Sequence, residues 1–109
     1  MENFVEQEWA EWLDDSTNQI ITRLRITRDF SRLHSFAIIY IHLREGNTIE
    51  LVKVDGSEKE RVNIHYYFHN PSTKEYHQRS ISIETVEYYL NQLRTTWRWY
   101  LSQYNENYI

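Results

Sequence analysis

Two histidines and a tyrosine alternate with apolar residues in one short segment of this chain, and they are the residues best suited to chemistry. The segment reads Asn63-Ile-His-Tyr-Tyr-Phe-His-Asn70 and is followed by a proline. Successive side chains of a β-strand point to opposite faces. The apolar side is therefore expected to be buried, with Val62 continuing it. The residues expected on the exposed side are Asn63, His65, Tyr67 and His69.

The spacing of His65 and His69 argues against a shared metal ion. On a strand that rises ~3.3 Å per residue the two histidines lie ~13 Å apart. Zinc–nitrogen bonds are only ~2 Å long, so one ion does not reach both rings. We therefore predict no metal and no other cofactor. Histidine takes and gives protons near neutral pH, so acid–base chemistry fits the spacing better.

Metal-independent cleavage of RNA needs a base for the ribose 2′-hydroxyl, an acid for the leaving oxygen and cations for the phosphate. His65 and His69 are the candidate acid and base. Tyr67 lies ~6.6 Å along the strand from each histidine, and Asp55 is a candidate for orienting one of them. The candidate phosphate contacts are Lys53, Arg23, Arg25 and Arg61. In the competing interpretation, these histidines are simply solvated polar residues of an exposed strand.

The composition indicates one domain and limits the classes of function. The chain has 109 residues and no cysteine, which excludes thiol catalysis and is compatible with a reducing cytosol. No apolar run approaches the ~20 residues of a transmembrane helix, so we expect a cytoplasmic protein without a membrane partner. The net charge of −4 argues against general nucleic-acid binding.

An acidic helix is expected over residues 1–16. Apolar residues from Phe4 to Leu13 recur at three- and four-residue spacing, and acids occupy the other positions. Residues 1–15 contain six acidic and no basic residues, so the rest of the chain has a net charge of +2. Such an acidic face is commonly just solvated. Alternatively, the acidic face would mimic the charge of a nucleic acid or cover a basic surface.

Residues 19–80 are expected to form a sheet. Residues 19–28 alternate between aliphatic positions and positions that include two arginines, and Phe36 to Leu43 is apolar on both sides. Short turns between the segments indicate an antiparallel meander, in which Glu75 to Ser80 is a weak edge strand. A strand that is apolar on both sides needs cover on both faces, from a second layer or a dimer partner. A homodimer is therefore expected.

A long C-terminal helix is predicted over residues 82–105. Apolar and aromatic residues from Val86 to Tyr104 keep helical spacing, and Ser82 is a suitable N-cap. The expected fold class is α+β in a single domain. It has a four- to five-stranded antiparallel meander sheet, flanked by an N-terminal helix and a long C-terminal helix.

The residues from Lys53 to Ser57 and from Val62 to Pro71 resemble a signature of small prokaryotic proteins, the TumE-like toxins. That signature is Arg-Tyr-Asp-x-x-His, followed by a strand with His-x-His or His-x-x-x-His. Those proteins also end in a helix carrying Trp and Tyr, as this chain does from Trp97 to Tyr104. The resemblance extends over residues 19–104.

The match to this signature is partial. Asp55 corresponds to the acidic residue of the signature, and His65 and His69 correspond to the later histidines. Lys53 and Val54 replace the Arg and Tyr. Glu58 stands where the signature has its first histidine.

The resemblance implies a toxin that is encoded beside a helix-turn-helix antitoxin and acts on RNA or translation. RNA and a protein antitoxin are the partners it implies. The residues themselves support an alternative: a non-catalytic, dimeric interaction module, or an inhibitor with an acidic helix. The net acidic charge, the nine Tyr and four Trp residues, and the strand that is apolar on both sides favour this alternative.

Overall fold

The computed structural model describes residues 3–69 and 71–108, which form six strands followed by one helix. Residues 1, 2, 70 and 109 lie outside the described part, and with them the ends of the predicted N-terminal helix and of the histidine segment. The elements are β1 (Phe4–Trp12), β2 (Asn18–Thr27), β3 (Leu33–Arg44), β4 (Asn47–Ser57), β5 (Asn63–Tyr66), β6 (Thr73–Tyr76) and α1 (Ile83–Tyr108).

The strands form one antiparallel sheet in the order β1-β2-β3-β4-β5-β6. Every strand pairs with its neighbour in sequence because the connections are too short for a crossover. The α+β class and the antiparallel meander are confirmed. The sheet has six strands among the described residues, however, instead of four or five.

The additional strand is β1, and the prediction of an N-terminal helix was wrong. Residues 4–12 pair along their whole length with β2. Glu6 lies opposite Arg25, and Glu8 lies opposite Arg23 and accepts a hydrogen bond from its guanidinium. Opposite charges directly across an antiparallel pair stabilise it. This long-range pairing, together with the backbone ladder, overrides the local helix preference of a glutamate-rich segment.

The core lies between one face of the sheet and α1. The Ser82 hydroxyl accepts a hydrogen bond of 3.1 Å from the Thr85 amide, which confirms the predicted N-cap. The rings of Tyr40 and Trp97 meet edge to face with centroids 6.3 Å apart. Other buried residues of this core are Ile20, Ile38, Val52, Val54, Val86, Leu90 and Leu93.

The opposite side of the sheet, here called the open face, has no helix over it among the described elements. Ile39 and Ile41 of β3 are nevertheless only 5% and 6% exposed there. In register, Ile39 lies between Ile21 and Lys53, so neighbouring side chains on adjacent strands flank it. The aliphatic stem of a lysine can cover apolar surface in this way. The apolar residues on both sides of β3 therefore do not require a second layer.

The histidine segment is a shorter strand than expected. β5 ends at Tyr66, and residues 67–69 belong to the turn that leads to β6. Asn63, expected on the exposed side, is 1% exposed. The weak edge strand predicted from Glu75 to Ser80 lies earlier, as β6. The turn displaces these boundaries because Tyr66 already pairs with Thr73 across the hairpin.

No helix in residues 3–69 and 71–108 combines the length and the apolar character needed to cross a membrane.

A buried polar cluster connects the ends of β2 and β3. The Tyr40 hydroxyl donates to the Asn18 side-chain oxygen at 2.7 Å, and Nδ1 of His42 lies 2.8 Å from the same oxygen. Since that oxygen only accepts, Nδ1 of His42 carries a proton and donates it. Asn18 in turn donates to Asp14 at 2.6 Å. Burial lowers the pKa of His42, and the charge of Arg44 lowers it further.

We predict that acid destabilises the fold through His42. Because the folded-state pKa lies below the unfolded value of ~6.5, protonation favours the unfolded state. The contribution of His42 is complete above that value and decreases as the pH falls through it towards the folded pKa. Urea denaturation between pH 7.5 and pH 5.5 measures this loss. His42→Gln replaces the imidazole donor with an amide donor that does not titrate, so its stability is expected to depend less on pH. Equal changes in the free energy of unfolding with pH for the two proteins would show that His42 is not the group responsible.

Candidate functional site

Three side chains on adjacent strands form a row on the open face. The register places Lys53 of β4 opposite His65 of β5, and His65 opposite Lys74 of β6. Neighbouring strands lie ~4.8 Å apart, so the two lysine backbones are ~10 Å apart with the histidine between them. We call these residues the Lys-His-Lys row. It places two cations beside an imidazole, a group that can accept and donate a proton.

The His65 ring is held by contacts on two sides. It stacks on Tyr67 with ring centroids 4.0 Å apart and planes inclined by 24°. Its Nε2 lies 3.3 Å from the Ser72 hydroxyl. His65 and Tyr67 therefore share one side of the sheet, as the alternation predicted, although Tyr67 already belongs to the turn. The stacking and the hydrogen bond orient an imidazole that is still partly exposed to solvent.

The structure does not bring His69 into the Lys-His-Lys row. Its Nδ1 lies 2.9 Å from the Thr73 hydroxyl. Its ring packs 4.5 Å from the buried Phe68 and 5.8 Å from Tyr66. Tyr66 in turn contacts Tyr100 of α1. His69 therefore lies with the residues that face the helix, because the chain turns after Tyr66 and the strand alternation stops there.

Asp55 contacts a lysine and an asparagine. Asn63 lies opposite Asp55 and donates from Nδ2 to its carboxylate at 2.8 Å. The Lys53 ammonium is 3.5 Å from the other carboxylate oxygen. Nδ2 of Asn63 also lies 3.0 Å from the backbone oxygen of Arg61, which explains why a buried asparagine is tolerated. Asp55 thus helps to position Lys53, which lies next to His65. Within the described residues, the side chain of Asp55 does not contact a histidine.

The predicted phosphate contacts separate into two places. A shallow groove of about 710 Å³ on the open face is lined by Arg23, Arg25, Lys53 and Asp55. Arg61 lies elsewhere, with its guanidinium 5.6 Å from the centroid of the Tyr76 ring. The Lys74 ammonium lies 5.1 Å from the same ring. Three of the four predicted phosphate contacts therefore line the groove, whereas Arg61 lies at the Tyr76 ring.

Carboxylates already pair with the main cations of this surface. Glu8 pairs with Arg23, Asp55 pairs with Lys53, and Glu60 lies 2.9 Å from the Lys74 ammonium. The hydrogen bond that Lys74 donates to the Glu60 carboxylate raises the pKa of Lys74. Exposed pairs of this kind contribute little to stability, so an incoming phosphate can replace the carboxylate.

Glu58, which replaces a histidine of the TumE-like signature, lies beyond the end of β4. It accepts a 2.7 Å hydrogen bond from Arg32 and lies 3.0 Å from Nδ1 of His34. The hydrogen bonds from Arg32 and His34 lower the pKa of Glu58. Glu58 is therefore an ionised partner of these two residues.

Comparisons of the chain with known protein families, with curated proteins and with solved structures found no match. The resemblance to TumE-like toxins accordingly stays a prediction. In the described part of the chain, no group of three or more His, Asp and Glu side chains is placed to hold a metal ion.

Sequence reasoning missed two residues of this surface, Lys74 and Ser72. Lys74 lies in a segment with little strand character, and its position next to His65 depends on the register of the β5–β6 hairpin. Nothing in the sequence marks Ser72 as a neighbour of His65 beyond its place in a turn. Both contacts are set by pairing between segments that the local pattern does not reveal.

We predict that the buried Asn63 stabilises the fold through its hydrogen bonds to Asp55 and the backbone. Replacing it with alanine removes a buried amide that donates to Asp55, and we expect a loss of ~1–3 kcal/mol in the free energy of unfolding. Urea denaturation at pH 7 measures the change. Gln78→Ala, at an exposed position, is the control and is expected to stay within ~0.5 kcal/mol of the parent protein. A similar value for both variants would show that the Asn63 hydrogen bonds contribute little.

Proposed function

We propose that this protein binds RNA along the open face of its sheet and acts as a toxin-like, metal-independent ribonuclease with His65 as its acid–base group. The observation that carries the proposal is the Lys-His-Lys row. A cation on each side of an oriented, partly exposed imidazole suits a phosphodiester substrate. The partial match to the TumE-like signature supports it, because Asp55 and His65, which match the signature, both lie next to Lys53 on the open face.

The charges of the row fit a phosphate group. Lysine binds phosphate as a point charge on a flexible stem, so Lys53 and Lys74 can both reach a group held between them. A phosphate in that position lies over His65. Arg23 and Arg25 extend the cationic surface across β2, along the groove. A single RNA strand crossing the sheet would thus meet cations along its path.

The aromatic residues of the surface fit unpaired bases. Tyr67 stacks on His65, and Tyr76 is half exposed between Arg61 and Lys74. Sequence-tolerant binding of single-stranded nucleic acid combines such aromatic platforms with cations along the backbone. The proposed substrate is therefore single-stranded RNA.

His65 has the role of general base in this proposal. It takes the proton of a ribose 2′-hydroxyl, whose oxygen attacks the adjacent phosphorus and displaces the 5′-oxygen of the next nucleotide. The products are a 2′,3′-cyclic phosphate and a 5′-hydroxyl. Because His69 lies away from the row, the leaving oxygen takes its proton from solvent at this open surface. One positioned base contributes ~10²–10⁴-fold to such a rate, so the enzyme is expected to be slow.

The paired carboxylates favour a second candidate function, a non-catalytic protein-interaction module. Glu8, Asp55 and Glu60 compete with RNA phosphates for Arg23, Lys53 and Lys74. A mixed-charge surface of this kind also suits a protein partner. The two functions differ in RNA binding and in RNA cleavage, which the following two experiments measure.

We predict that Lys53 and Lys74 each contact an RNA phosphate. For single-stranded nucleic acid the logarithm of the binding constant falls with the logarithm of the salt concentration, with a slope of about −0.7 per phosphate contact. Replacing both lysines with alanine is therefore expected to reduce the slope by about 1.4 and to weaken binding. Fluorescence anisotropy with a labelled single-stranded RNA in 50–200 mM salt measures it. Lys59→Ala, an exposed lysine outside the row, controls for the loss of a positive charge elsewhere on the surface. Equal slopes for the double variant and the control would exclude these contacts.

We predict that the two histidines differ in their effect on cleavage. His65→Ala is expected to lower the rate of cyclic-phosphate formation by ~10²–10⁴-fold. His69→Ala, which removes a neighbouring histidine outside the row, is expected to stay within a few-fold of the parent protein. Chromatographic analysis of a cleaved RNA oligonucleotide measures both. Equal losses of cleavage rate in the two variants would instead support a mechanism in which His65 and His69 act together as acid and base. RNA binding without cleavage would leave an RNA-binding module, and neither activity would favour the second candidate.

A further inference from the structure

The Lys-His-Lys row depends on the register of β6, the strand at one edge of the sheet. All four residues of β6 are exposed. Register is strongly specified where one face of a strand is buried and weakly specified where both faces are polar. The connection from β5 to β6, residues 67–72, is also longer than the ~2–5 residues of common hairpin loops. Contacts other than apolar burial and a tight turn must therefore hold β6 in register.

A chain of hydrogen bonds connects the end of β6 to α1. His77 follows β6 directly, and its amide continues the ladder by donating to the Val62 carbonyl at 2.8 Å. Nδ1 of the His77 ring lies 2.6 Å from the Tyr89 hydroxyl of α1. Nε2 of the same ring lies 2.7 Å from the Glu75 carboxylate of β6. We call Glu75, His77 and Tyr89 the Glu-His-Tyr chain.

The donors and acceptors of the Glu-His-Tyr chain are complementary. The ionised Glu75 carboxylate only accepts hydrogen bonds, so Nε2 of His77 carries a proton and donates it. In a neutral imidazole Nδ1 then accepts, and the Tyr89 hydroxyl donates to it. Tyr89 is only 3% exposed, and burial raises the pKa of its hydroxyl, which therefore keeps this proton. The His77 ring is thus held on one side by β6 and on the other by a buried residue of the helix.

The Glu-His-Tyr chain and the Lys-His-Lys row lie on opposite sides of β6. Glu75 lies opposite Ile64, which belongs to the core, whereas Lys74 lies opposite His65. Successive side chains of a strand alternate between the two faces, so a His77 ring that contacts α1 leaves Lys74 on the open face. A slip of one residue would turn His77 away from α1 and Lys74 towards it. The hydrogen bond to α1 is therefore compatible with only one of these two arrangements.

We propose that the Glu-His-Tyr chain sets the register of β6, and that His77 and Tyr89 are thereby positioning residues for Lys74. Both act from the helix side of the sheet and do not touch a substrate on the open face. Their effect on RNA rests on the proposed function, because Lys74 is one of its phosphate contacts. The register itself does not depend on RNA, so it is measured separately.

The first test measures the register with pairs of introduced cysteines. The chain has no cysteine of its own, so each pair reports on one pairing alone. His65→Cys with Lys74→Cys tests the observed register, because directly opposed residues of an antiparallel pair lie within reach of a disulfide. His65→Cys with Thr73→Cys tests a slip of one residue, since the side chain at position 73 points to the other face in the observed register. The first pair is expected to oxidise several-fold faster than the second.

Tyr89→Phe removes the hydroxyl that bonds to His77 and keeps the ring that fills the core. The ratio of the two oxidation rates is expected to fall towards one in this variant, because β6 then adopts more than one register. Tyr88→Phe removes the hydroxyl of the adjacent, 40% exposed tyrosine and is expected to keep the ratio of the parent protein. A loss of stability alone lowers the unfolding temperature without changing the ratio. Equal ratios in the two variants would overturn the proposal.

The second test measures the salt dependence of RNA binding, with the cysteine-free chain and a labelled single-stranded RNA. Tyr89→Phe is expected to reduce the slope by about 0.7, the contribution of one phosphate contact. Adding Lys74→Ala to Tyr89→Phe is expected to reduce the slope no further, whereas Tyr88→Phe keeps the parent slope. Additive reductions would show that Tyr89 does not act through Lys74 and would overturn the positioning role. A parent protein that does not bind RNA would contradict the proposed function alone, because the oxidation rates decide the register independently.

Discussion

One helix covers only one face of the sheet, and this constraint determines where every other feature lies. At ~1.5 Å per residue, the 26 residues of α1 span ~39 Å, enough to cross the sheet once. The apolar side chains of β2, β3 and β4 that face the helix form the core. The other face must be compatible with water, so β4, β5 and β6 carry charged and polar side chains there, while neighbouring side chains flank Ile39 of β3. Lys53, His65 and Lys74 lie together because the same alternation runs in register through three strands.

The electrostatics of the open face depend on β1. This strand contains no basic residue and lies directly beside the arginine positions of β2. Glu8 pairs with Arg23, so an acidic side chain of β1 offsets the charge of one arginine of β2. The acidic side chains also occupy an edge strand, where charge discourages pairing with other chains. β1 thus lowers the positive potential at β2. The lysines of β4 and β6 lie on the same face, in strands that do not pair with β1.

The parts of the fold with a clear local pattern could be predicted from the sequence. The alternation of β2, the periodicity of α1 and its Ser82 cap are local properties, and short turns imply a meander. β1 could not be predicted in this way, because glutamates with apolar residues at three- and four-residue spacing satisfy a helix equally well. In the site, His65 and Tyr67 share a side as the pattern indicated. His69 departs because the strand ends at Tyr66, and Lys74 was missed because hairpin register is a non-local property.

The strand conformation of β1 also places its side chains on both faces of the sheet. Adjacent residues of a strand project to opposite faces, so Glu8 reaches Arg23 on the open face while Trp9 lies beside α1. A helix in this position would place its apolar stripe and its acids on different sides of its own axis, without an ordered pairing to β2.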